Sequence, residues 1–108
     1  MLKVINEKNI KETTVAGDVG RLEMRNIVEE LELLVGTRTV MPNSLVPKKP
    51  HSHTRRQINY IVDGEPTVTN GKETIQLKKG DFVVFESFEE HYFSTTDKIV
   101  HIFEVQFQ

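Results

Sequence analysis

The chain has 108 residues, 37% of them apolar and 28% charged, with a formal net charge of -2. That length supports one domain around a single core and not two. The near-neutral balance excludes a non-specific attraction to nucleic acid or an acidic membrane, and the absence of cysteine excludes disulfides, thiolate zinc sites and cysteine-ligated iron–sulfur clusters.

Residues 1–20 are polar, with Val4, Ile5, Ile10 and Val15 as isolated apolar points, and close on the turn-rich Ala16-Gly17-Asp18-Val19-Gly20. They read as an N-terminal arm with one short strand, packed on the main body or on a partner subunit. No apolar run reaches signal-peptide or membrane-spanning length, so a cytoplasmic location is expected.

Residues 21–35 carry two patterns. Met24, Ile27, Val28, Leu31 and Leu34 recur at helical spacing, whereas Leu22 and Met24 alternate as in a strand, with Glu29-Glu30 as a turn. Periodicity alone leaves both open. From Leu33 the chain reads as β: a Val- and Thr-rich run stops at Met41-Pro42-Asn43-Ser44. Pro47 and Pro50 keep the following backbone extended.

Ile58 to Val62 is a β-branched and aromatic run ended by Asp63-Gly64. Thr67-Val68-Thr69, Asn70-Gly71 and Thr74 to Leu77 spell a hairpin. Lys79-Gly80-Asp81 turns into Phe82 to Phe85, and after a loop come His91 to Ser94 and an alternating final strand from Ile99 to Phe107. Short strands at regular spacing predict an all-β sandwich or barrel.

The chain holds four histidines: 51, 53, 91 and 101. On extended backbone, His51 and His53 point to the same side about 6.6–7 Å apart, near enough for their nitrogens to converge on one ion. Gln57 has the same parity. Taken alone, a His-x-His pair is more commonly a solvated loop pair than a ligand set.

The order of residues around the pair adds information. His51-Ser-His53-Thr-Arg-Arg-Gln57, then six residues, then Gly64, resembles the first motif of the cupin family. Gly80-Asp81, then nine residues, then His91, resembles the second. The stretch between the two motifs, Glu65 to Lys79, is 15 residues long and carries the hairpin. The likeness covers about residues 33–107.

It implies a double-stranded β-helix, or jelly-roll, barrel of two antiparallel sheets over residues 21–108, with residues 1–20 as the arm. It also implies strands rather than a helix at Arg21–Val28 and Leu31–Val40, and a metal held by His51, His53, Gln57 and His91. Gln57 replaces the glutamate usual in the family, Leu45 the opening glycine of the first motif, and Glu86, Phe88 and Thr95 the proline, glycine and asparagine of the second.

Three neutral imidazoles and an amide would leave the full charge of a divalent ion unbalanced, favouring an anionic oxygen ligand. Nitrogen-rich ligation suits iron, zinc, nickel, copper or manganese and does not choose among them. Asn59 is a candidate for hydrogen bonding a substrate, and Phe85, Phe93 and Phe103 for walling the pocket. Arg38, Arg55 and Arg56 are candidate helpers for such an anion but read first as solvated surface residues, the Glu89-Glu90 pair reads as solvated, and His101 as a surface or core-edge residue rather than a ligand.

Two classes of function follow. One is a metal-dependent enzyme, such as a dioxygenase, isomerase or cyclase, acting on a small oxygenated or anionic molecule. The other is a non-catalytic sensor of metal or small ligand. A small-molecule ligand and a homodimer are expected as partners, and neither nucleic acid nor membrane.

Overall fold

The computed structural model describes all 108 residues and contains ten strands with a single 3-10 turn at Glu7–Asn9. They are β1 Thr13–Ala16, β2 Arg21–Glu29, β3 Leu33–Val40, β4 Leu45–Val46, β5 Arg56–Asp63, β6 Thr67–Thr69, β7 Thr74–Gln76, β8 Phe82–Phe85, β9 Tyr92–Ser94 and β10 Val100–Phe107. All pairings are antiparallel. They build a six-stranded sheet in the order β1-β2-β3-β10-β5-β8 and a four-stranded sheet in the order β4-β9-β6-β7. The result is the all-β jelly roll of two antiparallel sheets that the motifs imply. No helix is long and apolar enough to cross a membrane.

The ambiguous residues 21–35 are two strands joined by a turn, Arg21–Glu29 and Leu33–Val40. A register shift between Asn26 and Val28 offsets the alternation there. That extra residue makes a two-fold pattern look helical over a short window. The strand in the arm, β1, pairs with β2 of its own chain, Val15 opposite Leu22.

Alternation decides what faces inward. On β10, Val100, Ile102 and Glu104 are buried while His101 and Phe103 are exposed. On β5, Gln57, Asn59 and Ile61 are buried, and on β3, Gly36, Arg38 and Val40. Leu22, Val40, Val46, Ile61, Val68, Leu77, Phe85, Phe93, Val100 and Ile102 form one apolar cluster between the sheets. Each such side chain contributes about 1.5–3 kcal/mol by leaving water.

The hairpin at Asn70 is longer than the two-residue turn its sequence suggests. Thr69 pairs with Thr74, and the Asn70 side chain accepts from the Lys72 and Glu73 amides across the loop. Gly64 has φ +99, and a Cβ there would lie 2.8 Å from a Val100 methyl, so the turn after β5 closes on β10 only with glycine.

Candidate metal centre

Two segments without strand structure deliver the histidines. His51 and His53 lie on the stretch leading into β5, and His91 directly precedes β9. One nitrogen from each lies within 4.8 Å of the others. Nitrogens that share one ion at 2.0–2.1 Å each lie no more than about 4.2 Å apart, so the rings would close in on it.

The rings are held from behind. His53 Nδ1 donates to the Arg55 carbonyl at 2.8 Å and His91 Nδ1 to the Glu89 carbonyl at 3.0 Å. A carbonyl only accepts, so Nδ1 carries a proton in each ring and, in the neutral form, Nε2 carries the lone pair. His91 Nε2 is buried with no hydrogen-bond partner, and His53 Nε2 faces Gln57 Oε1 at 2.9 Å. Electron pairs turned toward one another and toward a shared space suit a cation, so these residues fit a metal. His51 backbone N–H donates to the Tyr92 hydroxyl at 3.0 Å, which donates in turn to Glu90 at 2.6 Å.

Burial lowers the pKa of His51 to about 4, with the neighbouring His91 and His53 adding to the shift. Burial also lowers that of His91, against the opposing hydrogen bond to Glu89. Both rings are therefore neutral at pH 7 and do not have to shed a proton to bind an ion.

Gln57 is 2% exposed and belongs to a buried polar network. Its Nε2 donates to Asn59 Oδ1 at 2.7 Å and to Glu104 Oε1 at 3.2 Å. Asn59 Nδ2 donates to the same Glu104 oxygen at 3.0 Å. The other Glu104 oxygen accepts from Arg38 at 2.9 Å and Gln106 at 2.8 Å. Arg38 also donates to Asn26 and to the Thr37 carbonyl. Gly36 leaves room for this, since a Cβ there would lie 2.9 Å from the guanidinium.

Beside the site is a cavity of about 120 Å³. His51, His91, Gln57, Asn59 and Glu104 form part of its polar lining, and Met24, Val40, Phe93 and Ile102 are among its apolar residues.

Several expectations need correction. Phe85 does not line this cavity; it fills the space behind the site, its ring 4.8 Å from that of His91 and 6.2 Å from that of Phe93. Phe103 has the outward parity of β10 and is 38% exposed. Arg38 is not solvated but 5% exposed in an ion pair with Glu104. Of the Glu89-Glu90 pair, Glu90 is exposed as expected and Glu89 is half-buried. Glu89 accepts from Asn70 and from the Glu86 amide, while Glu90 holds Tyr92.

Arg56 does lie at the surface, paired with Glu86 at 2.8 Å, and His101 is exposed beside Thr39. Glu104 and Gln106 belong to no motif of the sequence. Their parity with Val100 and Ile102 was the available signal.

The family model described as Cupin domain matches residues 36–106. A predicted oxalate decarboxylase from Thermotoga maritima is similar in structure, with a TM-score of 0.85, 21% identity, and coverage of 97% of this chain and 98% of that one. The polyketide cyclase RemF from Streptomyces resistomycificus gives 0.82 at 18% identity over 98% and 79% of the two chains. An RmlC-like cupin from Shewanella frigidimarina gives 0.79 at 15% identity over 99% and 91%. A comparison with curated proteins finds no match. At these identities the structural likenesses speak for the fold alone.

Proposed function

This chain belongs to the cupin domain family, and from that premise we propose that it is a metal-dependent enzyme acting on a small oxygenated or anionic organic molecule. His51, His53 and His91, with Gln57 as a neutral fourth donor, would hold one divalent transition metal. The observation that carries this reading is the convergence of unpartnered or facing lone pairs, His91 Nε2, His53 Nε2 and Gln57 Oε1, beside a cavity. When bound, the ion supplies Lewis-acid polarisation or O2 activation.

The chain's own residues then set the ligand. The cavity of about 120 Å³ is smaller than the roughly 150 Å³ that holds a benzene molecule, which favours a compact substrate over a polycyclic one. Arg38 is committed to Glu104, Asn26 and Thr37, and is no anchor for a ligand carboxylate. An anionic substrate would answer the unbalanced charge of the ion instead, while Asn59 and Gln106 border it with amide groups. Of the two activities printed for proteins of similar fold, oxalate decarboxylase concerns the smaller molecule and accords better with this volume.

The test is metal analysis of the purified protein, then anaerobic reconstitution with iron(II). Product formation and O2 uptake are followed with oxalate, 2-oxo acids, diketones and catechols. Turnover of a small diacid or oxo acid that vanishes in His53→Ala is expected. Tight ligand binding without turnover under any metal would overturn the enzymatic reading in favour of a sensor. Failure to bind either metal or ligand would overturn both.

A further inference from the structure

We propose that Glu104 is a positioning residue for the metal centre: it fixes the side-chain amide of Gln57 so that the oxygen, and not the NH2 group, faces the histidines. The proposal rests on reading the histidine cluster as a metal site.

An amide has two ends of similar shape, and which end faces the ion decides whether Gln57 donates an electron pair or presents protons to a cation. The surroundings of Gln57 decide this. An ionised carboxylate only accepts, and Glu104 accepts four times, from Gln57, Asn59, Arg38 and Gln106. Because Asn59 spends its NH2 on Glu104, its own oxygen is turned to Gln57 at 2.7 Å.

Both neighbours on that side of Gln57 are therefore acceptors, and both protons of its NH2 are used. Reversing the amide would replace two hydrogen bonds with two oxygen–oxygen contacts in a buried place. The oxygen is left on the other side, 2.9 Å from His53 Nε2, whose ring proton is engaged with the Arg55 carbonyl. In the neutral ring these two atoms turn lone pairs toward one another, an arrangement that a bound cation relieves.

Arg38 balances the charge of Glu104 in an ion pair whose side chains are 6% and 8% exposed. The carboxylate thus acts by orientation and not by lending charge to the ion. In this chain, the acid usual at the glutamine position has a counterpart on β10, one hydrogen bond back.

Two measurements on the full chain test the proposal. In metal-free, 15N-labelled wild type, the Gln57 NH2 protons should show NOEs to Asn59 and none to the His53 ring; NH2 protons found against His53 would overturn it. Cobalt(II) is then titrated into wild type, Glu104→Gln, Gln57→Leu and the double variant, with visible absorption as the readout. Glu104→Gln should weaken binding 10–100-fold and move the spectrum toward that of Gln57→Leu. The double variant should be no weaker than Gln57→Leu alone.

An unchanged spectrum in Glu104→Gln, or a full additive loss in the double variant, would overturn the proposal. Should Glu104→Gln fail to fold, Glu104→Asp keeps the charge opposite Arg38 but draws the carboxylate back from Gln57, and should shift the spectrum in the same direction; no shift overturns the proposal. If wild type binds no cobalt while the NOEs fall as expected, the metal reading fails and the orientation stands. If it binds cobalt with the NH2 against His53, the reverse holds.

Discussion

On the inner face of the six-stranded sheet, Arg38, Gln57, Asn59 and Glu104 are at most 6% exposed and answer one another's hydrogen bonds. On the segments leading into β5 and β9, His51, His53 and His91 stand on irregular backbone, and His91 Nε2 has no partner at all. Long strands in register can satisfy a buried polar network, because alternation repeats the same inward position on adjacent strands. The irregular segments are tethered by a few hydrogen bonds, to carbonyls, a tyrosine hydroxyl and the Phe88 amide, and they leave electron pairs free. Saturation in one region supports deliberate unsaturation in the other.

The sharpest way to break this division is to remove one partner of the buried ion pair. Arg38→Leu leaves Glu104 charged and uncompensated, and should cost about 3–5 kcal/mol in urea unfolding. His53→Ala should cost about 1 kcal/mol or less in the same assay and yet lose more metal affinity than the 10–100-fold typical of an outer partner. Equal stability losses in the two variants would erase the distinction.

A smaller effect lies in pH. The His51 pKa is lowered to about 4 in the folded protein, against about 6.5 unfolded, so the unfolded chain binds the extra proton first. His91 shifts in the same direction. Metal-free stability should therefore be full above pH 6.5 and fall as the pH drops from there to about 4. A thermal midpoint measured across that window should show less decline in His51→Asn.

Tyr92→Phe should cost about 0.5–1.5 kcal/mol by freeing the His51 amide and Glu90. It should weaken metal binding only modestly, as isothermal titration would record. The smallest expected change is a gain. Phe88 holds φ +62, 67% exposed, at the position where the family motif has glycine. Phe88→Gly should relieve a left-handed strain of about 1–2 kcal/mol, offset by the flexibility of glycine, and raise the melting temperature slightly.

The histidine placement was legible through the family resemblance: three residues in two ordered motifs survive any uncertainty about loop shape. The hairpin strands were legible from β-branched runs and Gly punctuation. Strand β2 and the turn after it are not separable from a helix by pattern, since the irregularity near Asn26 spoils the two-residue period. Arg38 reads as solvated for a physical reason, since an isolated charge costs too much to bury, and no motif singles out Glu104 as its partner. Only pairing across β3 and β10, remote in sequence, makes their burial tolerable. Phe103 was misread in the opposite sense, an aromatic whose parity outweighs its hydrophobicity.

The central place of β10, between β3 and β5, has a consequence for synthesis. His51, His53, His91 and Gln57 precede it in the chain, but Glu104 lies on it. On a ribosome the nitrogen ligands leave the exit tunnel before the strand that completes the sheet, and pairings this remote form slowly. A nascent chain stalled before Val100 should remain open to protease, and one released past Phe107 should become resistant. Translation order thus delays assembly of the site until its supporting strand has emerged.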